Sequence, residues 1–376
     1  MKALINGKII YERKVLDGYT LLFDKKIIAL SKDRPPAQSE VIDAEGCYVS
    51  AGFVDMHIHG SGGADVMDAT PEALEKISAA VLKNGTTSFV ATTMTMSQAS
   101  ILDAIENVIA YGPGVSGAKI RGLHLEGPFL NPAKGGAQDS HYIQVPNFDW
   151  ITPYLDHIRV ITIAPEMPGA EQFIRHISQR YPSIILSIGH SDMDYDAALE
   201  SFDWGISHAT HLFNAMPPWH HRAPGIIGAL FDSPVTADII ADLVHVHPSL
   251  LRTAQKLKKD KLILITDAMR AGCMKSGTYD LGGQQVRVSG GEATLENGVL
   301  AGSVLKLNKA VKNYYTLTEA SLAEALFCVT TLPAQRLGLP CGVLQDEFDA
   351  DIVLFDDEIE IKSVYIDGHI KYNWRN

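Results

Sequence analysis

The sequence predicts an α/β fold: a (β/α)8 TIM barrel with a small β-sandwich-like domain formed from both termini. Three observations support this prediction. Eight apolar strand candidates alternate with helical stretches in the middle of the chain, both ends are rich in short strands, and metal-ligand residue types follow several of the strands. The predicted small β domain comprises residues 1–50 plus 343–376, and the predicted barrel comprises residues 51–342.

The middle of the chain carries the periodicity of a barrel. Neither a dinucleotide glycine fingerprint nor a Gly-Lys-Ser/Thr phosphate loop is present, which disfavours an open nucleotide-binding sheet. The strand candidates are Phe53–Met56, Thr87–Thr92, Ile120–Leu125, Ile158–Ile163, Ile184–Ile188, Gly205–Ser207, Val235–Ala241 and Leu262–Ile265. The predicted helices are Pro71–Lys83, Gln98–Tyr111, Ala170–Arg180, Tyr195–Phe202, Pro248–Leu257, Leu305–Tyr314 and Leu322–Cys328.

Other segments interrupt this alternation or flank it. Gly127–Asp156 and the connection with Pro217-Pro218 are predicted loops, and the Gly-rich Tyr279–Leu300 is a predicted hairpin insertion. Alternating runs joined by tight-turn signals predict strands at both ends of the chain. These strands are Ala3–Ile5, Lys8–Tyr11, Tyr19–Phe23, Ile27–Leu30, Asp351–Phe355, Ile359–Ile366 and His369–Asn373, with Val41–Val49 leading into the barrel.

Composition narrows the class of protein. The 376 residues include 46% hydrophobic and 20% charged residues, which is ordinary for a globular enzyme. A net charge of −12 argues against nucleic acid and anionic membranes as partners, so an anionic substrate needs a local basic pocket. The four cysteines form no Cys-x-x-Cys pair, and we find neither a signal peptide nor a membrane-spanning run. A cytoplasmic protein is therefore expected.

Two histidines follow the first strand candidate. Side chains alternate between the faces of a strand, so His57 and His59 point the same way and can share one metal ion. An isolated pair of this kind is more often a pair of ordinary surface or core histidines. Further ligand types recur at later strand ends, namely Glu126, His190, His211 and Asp267. The carboxyl ends of barrel strands meet on one face, so coincidence is an improbable explanation for all six.

These residue types predict a metal-dependent hydrolase. Neutral imidazoles and carboxylates bind zinc or iron, and also manganese or cobalt, and no thiolate forces a softer metal. Glu126, His190 and His211 make a three-ligand site with an open position for water. His57, His59 and Asp267 can hold a second ion, with Glu126 bridging, so we expect one or two divalent ions per subunit. Asp267 is placed to take a proton from water and give it to a departing amine.

Six short motifs together carry a family resemblance. They are His57-x-His59, His124-Leu-Glu-Gly-Pro-Phe, Gly189-His-Ser, His211-Leu-Phe-Asn-Ala-Met-Pro, His245-x-His-Pro and Thr266-Asp-Ala. The set resembles the N-acetylglucosamine-6-phosphate deacetylase family of the amidohydrolase superfamily, and the likeness extends along the whole chain. The resemblance implies hydrolysis of the 2-acetamide of N-acetyl-D-glucosamine 6-phosphate to D-glucosamine 6-phosphate and acetate, in amino-sugar catabolism and recycling.

The resemblance also implies individual roles. It makes Glu126, His190 and His211 the principal metal ligands and Asp267 the catalytic acid and base. Contacts with the substrate phosphate region fall to Asn214, Ala215 and His245, and to Arg222, which in this family reaches across a homodimer interface. The planar guanidinium of an arginine can donate two hydrogen bonds to a phosphate, and it supplies the local positive charge that an anionic substrate needs. The alternative is that Arg222 has no role in binding and forms, with His220 and His221, only a solvent-exposed cluster of loop residues.

Two positions depart from part of the family. Some members lack the second histidine of the first motif, whereas His59 keeps a second metal site open here. Other members carry a histidine in the loop where this chain reads Gly136-Ala-Gln138. That histidine is expected to polarise the acetamide carbonyl, so Gln138 or the nearby His141 is the candidate in this chain.

Two other functions compete with the phosphosugar deacetylase. A related metallohydrolase acting on N-acyl amino acids or dipeptides would need a carboxylate pocket in place of Asn214, Arg222 and His245. A non-catalytic scaffold would be expected to lose Asp267 or a ligand, and this chain retains the whole set.

Overall fold

Eight parallel strands form a barrel in the computed structural model of the chain, which describes residues 1–375. They pair with their neighbours in chain order, and runs of Val, Ile and Thr suit their buried, pleated surfaces. The segment after the eighth strand completes the ring, because the Asp267 amide donates to the His57 carbonyl and the His59 amide donates to the Ala268 carbonyl, each at 2.9 Å. The barrel strands are Phe53–Ile58, Thr86–Thr93, Lys119–Glu126, Ile158–Ile163, Ile185–Ile188, His208–Ala209, Thr236–Ile240 and Leu262–Ile265.

Helices cover the outside of the barrel, and several of them begin at capping side chains. The hydroxyl of Ser97 and the carboxylate of Asp194 accept hydrogen bonds from backbone amides in the first turns of the second and fourth helices. The α-helices are Pro71–Leu82, Gln98–Tyr111, Ala170–Arg180, Tyr195–Trp204, Gly225–Phe231, Pro248–Lys258, Leu307–Leu317, Leu322–Phe327 and Thr331–Arg336. Short 3-10 helices lie at Val66–Asp68, Gly112–Gly114, Pro132–Lys134, Ser140–Tyr142, Thr152–His157 and Lys259–Lys261.

The predicted barrel is confirmed, with differences in local detail. The sixth strand lies at His208–Ala209 rather than at the predicted Gly205–Ser207. Gly205 ends the preceding helix at a φ of 131°, and the strand that follows is short and polar, so it lacks an apolar signal. Helices Gly225–Phe231 and Thr331–Arg336 were not predicted. Each is six or seven residues long, with glycine or proline inside, which hides the helical period.

A three-stranded sheet follows the eighth barrel strand, where a simple hairpin was predicted. Its strands are Gly277–Leu281, Gln284–Ser289 and Glu292–Leu295, joined by the Gly282-Gly283 and Gly290-Gly291 turns. Leu281, Val286 and Val288 pack against Met94 and Met269 near the carboxyl ends of the barrel strands. The insertion thereby becomes a wall beside the open end of the barrel.

Two further sheets are built from the ends of the chain. One contains strands Lys2–Ile5, Thr20–Phe23, Ile27–Ser31 and Glu40–Asp43. In the other, Tyr48–Ala51 pairs antiparallel with Ile352–Phe355, so the two termini share one sheet as expected. Its remaining strands are Lys8–Tyr11, Lys14–Leu16, Ile361–Ile366 and His369–Asn373. The division at residues 50 and 343 stays a prediction.

An ion-pair cluster joins the barrel to these terminal segments. Lys119 and Arg121, at the amino end of the third barrel strand, contact Asp349 at 3.3 and 2.8 Å. Lys119 also lies 3.0 Å from Asp351 and 2.7 Å from Asp367. These charges fix the barrel's amino-terminal face to the C-terminal strands. No helix among residues 1–375 is long and apolar enough to cross a membrane.

Candidate active site and metal centre

Six ligand candidates converge at the carboxyl end of the barrel. His57 lies near the end of the first strand and His59 directly follows it. Glu126 ends the third strand, while the other three follow the fifth, sixth and eighth strands. His190, His211 and Asp267 adopt positive φ angles of 48°, 34° and 48°. Such a conformation costs a non-glycine residue roughly 1–3 kcal/mol and persists only where surrounding contacts impose it. Three site residues are thus held in strained turns that aim their side chains into the barrel mouth.

Glu126 lies at the centre of the cluster. Its Oε1 lies 3.1 Å from His211 Nε2, 3.3 Å from His190 Nε2 and 3.4 Å from His57 Nε2, and its Oε2 lies 3.0 Å from His59 Nε2. Asp267 Oδ1 is 3.3 Å from Nε2 of both His57 and His59. Two three-residue groups therefore have metal-ligand geometry, His57/His59/Glu126 and Glu126/His190/His211, with Glu126 shared between them.

The histidine tautomers fit a cation at this position. His190 Nδ1 lies 2.9 Å from the Lys134 carbonyl, and His211 Nδ1 lies 3.1 Å from the Asn214 carbonyl. A carbonyl can only accept, so Nδ1 carries the proton and the Nε2 lone pair faces the cluster. The two Nε2 atoms lie 3.1 Å apart, where two lone pairs repel unless a proton or a metal ion lies between them. The donor set thus fits a divalent metal ion.

The electrostatics of the cluster support the same interpretation. Burial alone would raise the pKa of Glu126, but the surrounding histidines lower it well below its usual range. Burial would also raise the pKa of Asp267, but His57 and His59 lower it. Burial opposes the charged form of His211, yet Glu126 raises the pKa of His211 to about 9. The two carboxylates are thus ionised and draw positive charge to the site, which a metal ion would supply.

A layer of buried polar side chains lies beneath the cluster. Asp238 accepts a hydrogen bond from the backbone amide of His211, and its other oxygen lies 3.3 Å from His208 Nε2. His124 Nε2 lies 2.7 Å from the Thr162 hydroxyl, and burial lowers the pKa of His124 well below its usual range. Asp238 was not predicted from the sequence. Its signal is a single carboxylate inside an otherwise apolar strand candidate, Val235–Ala241.

A cavity of about 230 Å³ opens at the candidate metal ligands. Four predicted substrate-binding residues line it, namely Gln138, Asn214, Ala215 and His245. The His245 ring is oriented by Asp242, whose carboxylate lies 2.7 Å from His245 Nδ1. Met94, which follows the second barrel strand, and Leu281, from the inserted sheet, add an apolar wall that was not predicted from the sequence.

Two predicted substrate residues lie outside this cavity within the single chain. His141 is exposed and packs edge-on against the Tyr142 ring. Arg222 is exposed, with Nη1 2.8 Å from His221 Nε2, on the loop after the sixth strand. The structure therefore brings Gln138 rather than His141 to the metal ligands, and one chain alone does not bring Arg222 to them.

Comparison with known proteins agrees with this geometry. The amidohydrolase family model matches residues 48–371. N-acetylglucosamine-6-phosphate deacetylase of Bacillus subtilis (strain 168) is 37% identical, with 97% of this chain and 95% of that protein covered. N-acetylgalactosamine-6-phosphate deacetylase of Escherichia coli O157:H7 is 33% identical, with 96% and 97% covered.

A solved structure resembles the whole chain. The crystal structure of N-acetylglucosamine-6-phosphate deacetylase from Pasteurella multocida superposes with a TM-score of 0.93 at 31% identity, and 99% of this chain and 100% of that chain are covered. Sequence and fold thus agree over nearly the full length. The chain belongs to the amidohydrolase family and, within that family, to the N-acetylglucosamine-6-phosphate deacetylase group.

Proposed function

We propose that this chain hydrolyses the 2-acetamide of N-acetyl-D-glucosamine 6-phosphate, using water to give D-glucosamine 6-phosphate and acetate. The observation that carries the proposal is the cluster around Glu126, in which two groups of metal ligands meet below a sugar-sized cavity. The similarity to named deacetylases over almost the whole chain supports the substrate class.

The metal centre is proposed to hold two divalent ions, zinc or iron, with manganese or cobalt as alternatives. Glu126, His190 and His211 would hold one ion, and His57, His59 and Asp267 would hold the other, with Glu126 shared. When bound, such ions supply Lewis-acid chemistry that activates water and an amide carbonyl. The His190 and His211 tautomers, fixed by Lys134 and Asn214, prepare the first of these sites.

Asp267 is proposed to move the proton. Its lowered pKa keeps the carboxylate ionised at neutral pH, so it can accept a proton from the attacking water. The same carboxyl group then protonates the amine nitrogen as the carbon–nitrogen bond breaks. The left-handed backbone at Asp267 fixes the direction of its side chain, so this transfer needs little rearrangement.

Recognition of the phosphate is proposed to involve two subunits. Asn214, Ala215 and His245 lie in the cavity wall, but none of them brings a permanent positive charge. Arg222 would supply that charge from the neighbouring subunit of a homodimer, which explains why it lies outside its own chain's cavity. A cytoplasmic location stays a prediction.

Acetate release tests the proposed function. Purified, metal-loaded protein is expected to release acetate from N-acetylglucosamine 6-phosphate at least a hundredfold faster, by kcat/KM, than from unphosphorylated N-acetylglucosamine or N-acetylated amino acids. Comparable rates on acetylated amino acids would reject the phosphosugar assignment in favour of another metallohydrolase activity.

A second candidate substrate is N-acetylgalactosamine 6-phosphate. The observation that favours it is the 33% identity to a deacetylase named for that sugar. The two sugars differ only at one ring hydroxyl, so the metal ligands do not discriminate between them. A competition assay with both sugars would identify the preferred one.

A further inference from the structure

The side-chain amide of Gln138 is hydrogen-bonded at both ends inside the protein. Its Oε1 accepts from the backbone amide of Thr95 at 2.8 Å, and its Nε2 donates to Glu126 Oε2 at 2.9 Å. A backbone N–H can only donate, so this contact fixes which end of the amide is oxygen. The amide is thus oriented by the protein before any substrate arrives.

The two oxygens of Glu126 face different histidines. Oε1 is the oxygen nearest to His190, His211 and His57, at 3.3, 3.1 and 3.4 Å. Oε2 lies 3.0 Å from His59 and accepts the hydrogen bond from Gln138. Rotation about the terminal bond of a glutamate is soft, so some contact has to select the direction of each oxygen. Gln138 makes that contact.

The loop that carries Gln138 is itself held from two sides. The Gln138 backbone amide donates to the Gly135 carbonyl at 2.9 Å, which closes a turn. Gln284, in the inserted sheet, donates through Nε2 to the Ala137 carbonyl at 2.7 Å. Gln138 is only 8% exposed, so the hydrogen bond to Glu126 is shielded from water. The position of the amide is therefore set by the fold.

We propose that Gln138 is a positioning residue for Glu126, so that one carboxylate oxygen faces His57, His190 and His211 and the other faces His59. This inference rests on the proposed metal-dependent function. It differs from the sequence-based expectation that Gln138 polarises the substrate carbonyl. A neutral amide suits the task, because it donates a hydrogen bond without cancelling the negative charge that attracts the ions.

Metal binding measured without substrate tests the proposal. Gln138→Met keeps the approximate volume and removes both hydrogen bonds, and Gln179→Met, on an exposed helix position, is the matched control. Zinc titration of metal-stripped full-length protein against a chromophoric chelator gives the stoichiometry and the Kd. We expect Gln138→Met to weaken zinc binding roughly 10–100-fold, first for the ion at His57 and His59, and the control to match the wild type.

A second variant covers the case in which Gln138→Met does not fold. Gln138→Asn keeps an amide but is one methylene too short to span Thr95 and Glu126, so it should weaken zinc binding in the same way. Unchanged zinc stoichiometry and Kd in a folded variant would overturn the proposal. If kcat nonetheless fell tenfold or more, Gln138 would act on the substrate instead. A wild-type protein that binds zinc but releases no acetate would refute the proposed function. The zinc-binding test of Gln138 would remain valid, because it does not depend on acetate release.

Discussion

The third barrel strand, Lys119–Glu126, carries a charged cluster at each end. The cluster at the amino end is partly exposed and the cluster at the carboxyl end is buried, and the two differ in their balance of positive and negative charge. At its amino end, Lys26, Lys119 and Arg121 face the carboxylates of Asp349, Asp351 and Asp367, so three positive charges meet three negative ones. At its carboxyl end, the carboxylates of Glu126 and Asp267 face histidine nitrogens and no lysine or arginine lies within ion-pair distance among residues 1–375.

This difference in charge balance indicates that the amino end of the strand contributes to stability and the carboxyl end contributes to function. The amino-end cluster is complete without any added group, so its role is to join the barrel to the terminal strands. The carboxyl-end cluster carries two negative charges when its histidines are neutral, so the proposed divalent cation would complete it. Barrel enzymes place chemistry at the carboxyl ends of strands, and this chain follows that division. Substitutions at the two ends should therefore affect different measurements.

The largest effect is expected at Asp267, the proposed catalytic carboxylate. Asp267→Asn removes the proton acceptor and keeps the shape of the side chain, so kcat should fall roughly 10²–10⁴-fold while Glu126, His190 and His211 retain their ion. Steady-state kinetics with elemental analysis of the same sample checks this. Near-normal turnover at unchanged metal content would reject the role of Asp267.

A smaller effect is expected on substrate binding at Arg222. Loss of a charge-assisted contact with a phosphate should raise KM for N-acetylglucosamine 6-phosphate roughly ten- to a hundredfold in Arg222→Ala. Unphosphorylated N-acetylglucosamine should be affected far less.

Mixing subunits tests whether Arg222 acts across the interface. A mixed dimer of Arg222→Ala and Asp267→Asn chains has one site that lacks both residues and one intact site if the arginine acts in trans. Recovered activity supports that arrangement. Subunit exchange without recovery would place Arg222 in its own chain's pocket.

The third prediction concerns the number of ions. Changing His57 and His59 together to Asn should lower the metal-to-protein ratio by about one, because Glu126, His190 and His211 form a group without them. A double variant that keeps its full metal content would contradict the two-group arrangement.

The smallest effect is expected at the amino end of the strand. Burial alone would raise the pKa of Asp349, but Lys26 and Arg121 lower it to about 2. Because the folded-state pKa is depressed, this stabilisation is present above the unfolded value of 3.8 and is lost as pH falls through about 2. The lowered pKa of Asp349 corresponds to about 2 kcal/mol of stabilisation. Burial instead raises the pKa of the neighbouring Asp351.

Asp349→Asn checks this stability prediction. At pH 7 the free energy of unfolding of metal-free protein should fall by about 2 kcal/mol, and its dependence on pH between about 5 and 2 should flatten. Metal content after reloading should match the wild type. Loss of metal in this variant would mean that the two ends of the strand are not independent.

The barrel and the convergence of the six ligand candidates could be predicted from the sequence because both follow from strand periodicity. His57 and His59 share a face by alternation, and Glu126 ends an apolar run, so no tertiary information was needed. Asp238 and the hydrogen bond from Gln138 to Glu126 were missed, since they depend on which loops and strands meet in space. The sixth strand was misplaced because it is only two residues long and one of them, His208, is a polar residue bonded to Thr236 inside the barrel.

Metal removal and add-back test the central claim most directly. Chelator-treated protein should release no acetate from N-acetylglucosamine 6-phosphate, and zinc or iron should restore release in the wild type. Glu126→Gln, which weakens the ligand shared by both groups, should bind far less metal and stay inactive after the same treatment. Full activity in metal-free protein, or restored activity in Glu126→Gln at wild-type metal content, would contradict the account.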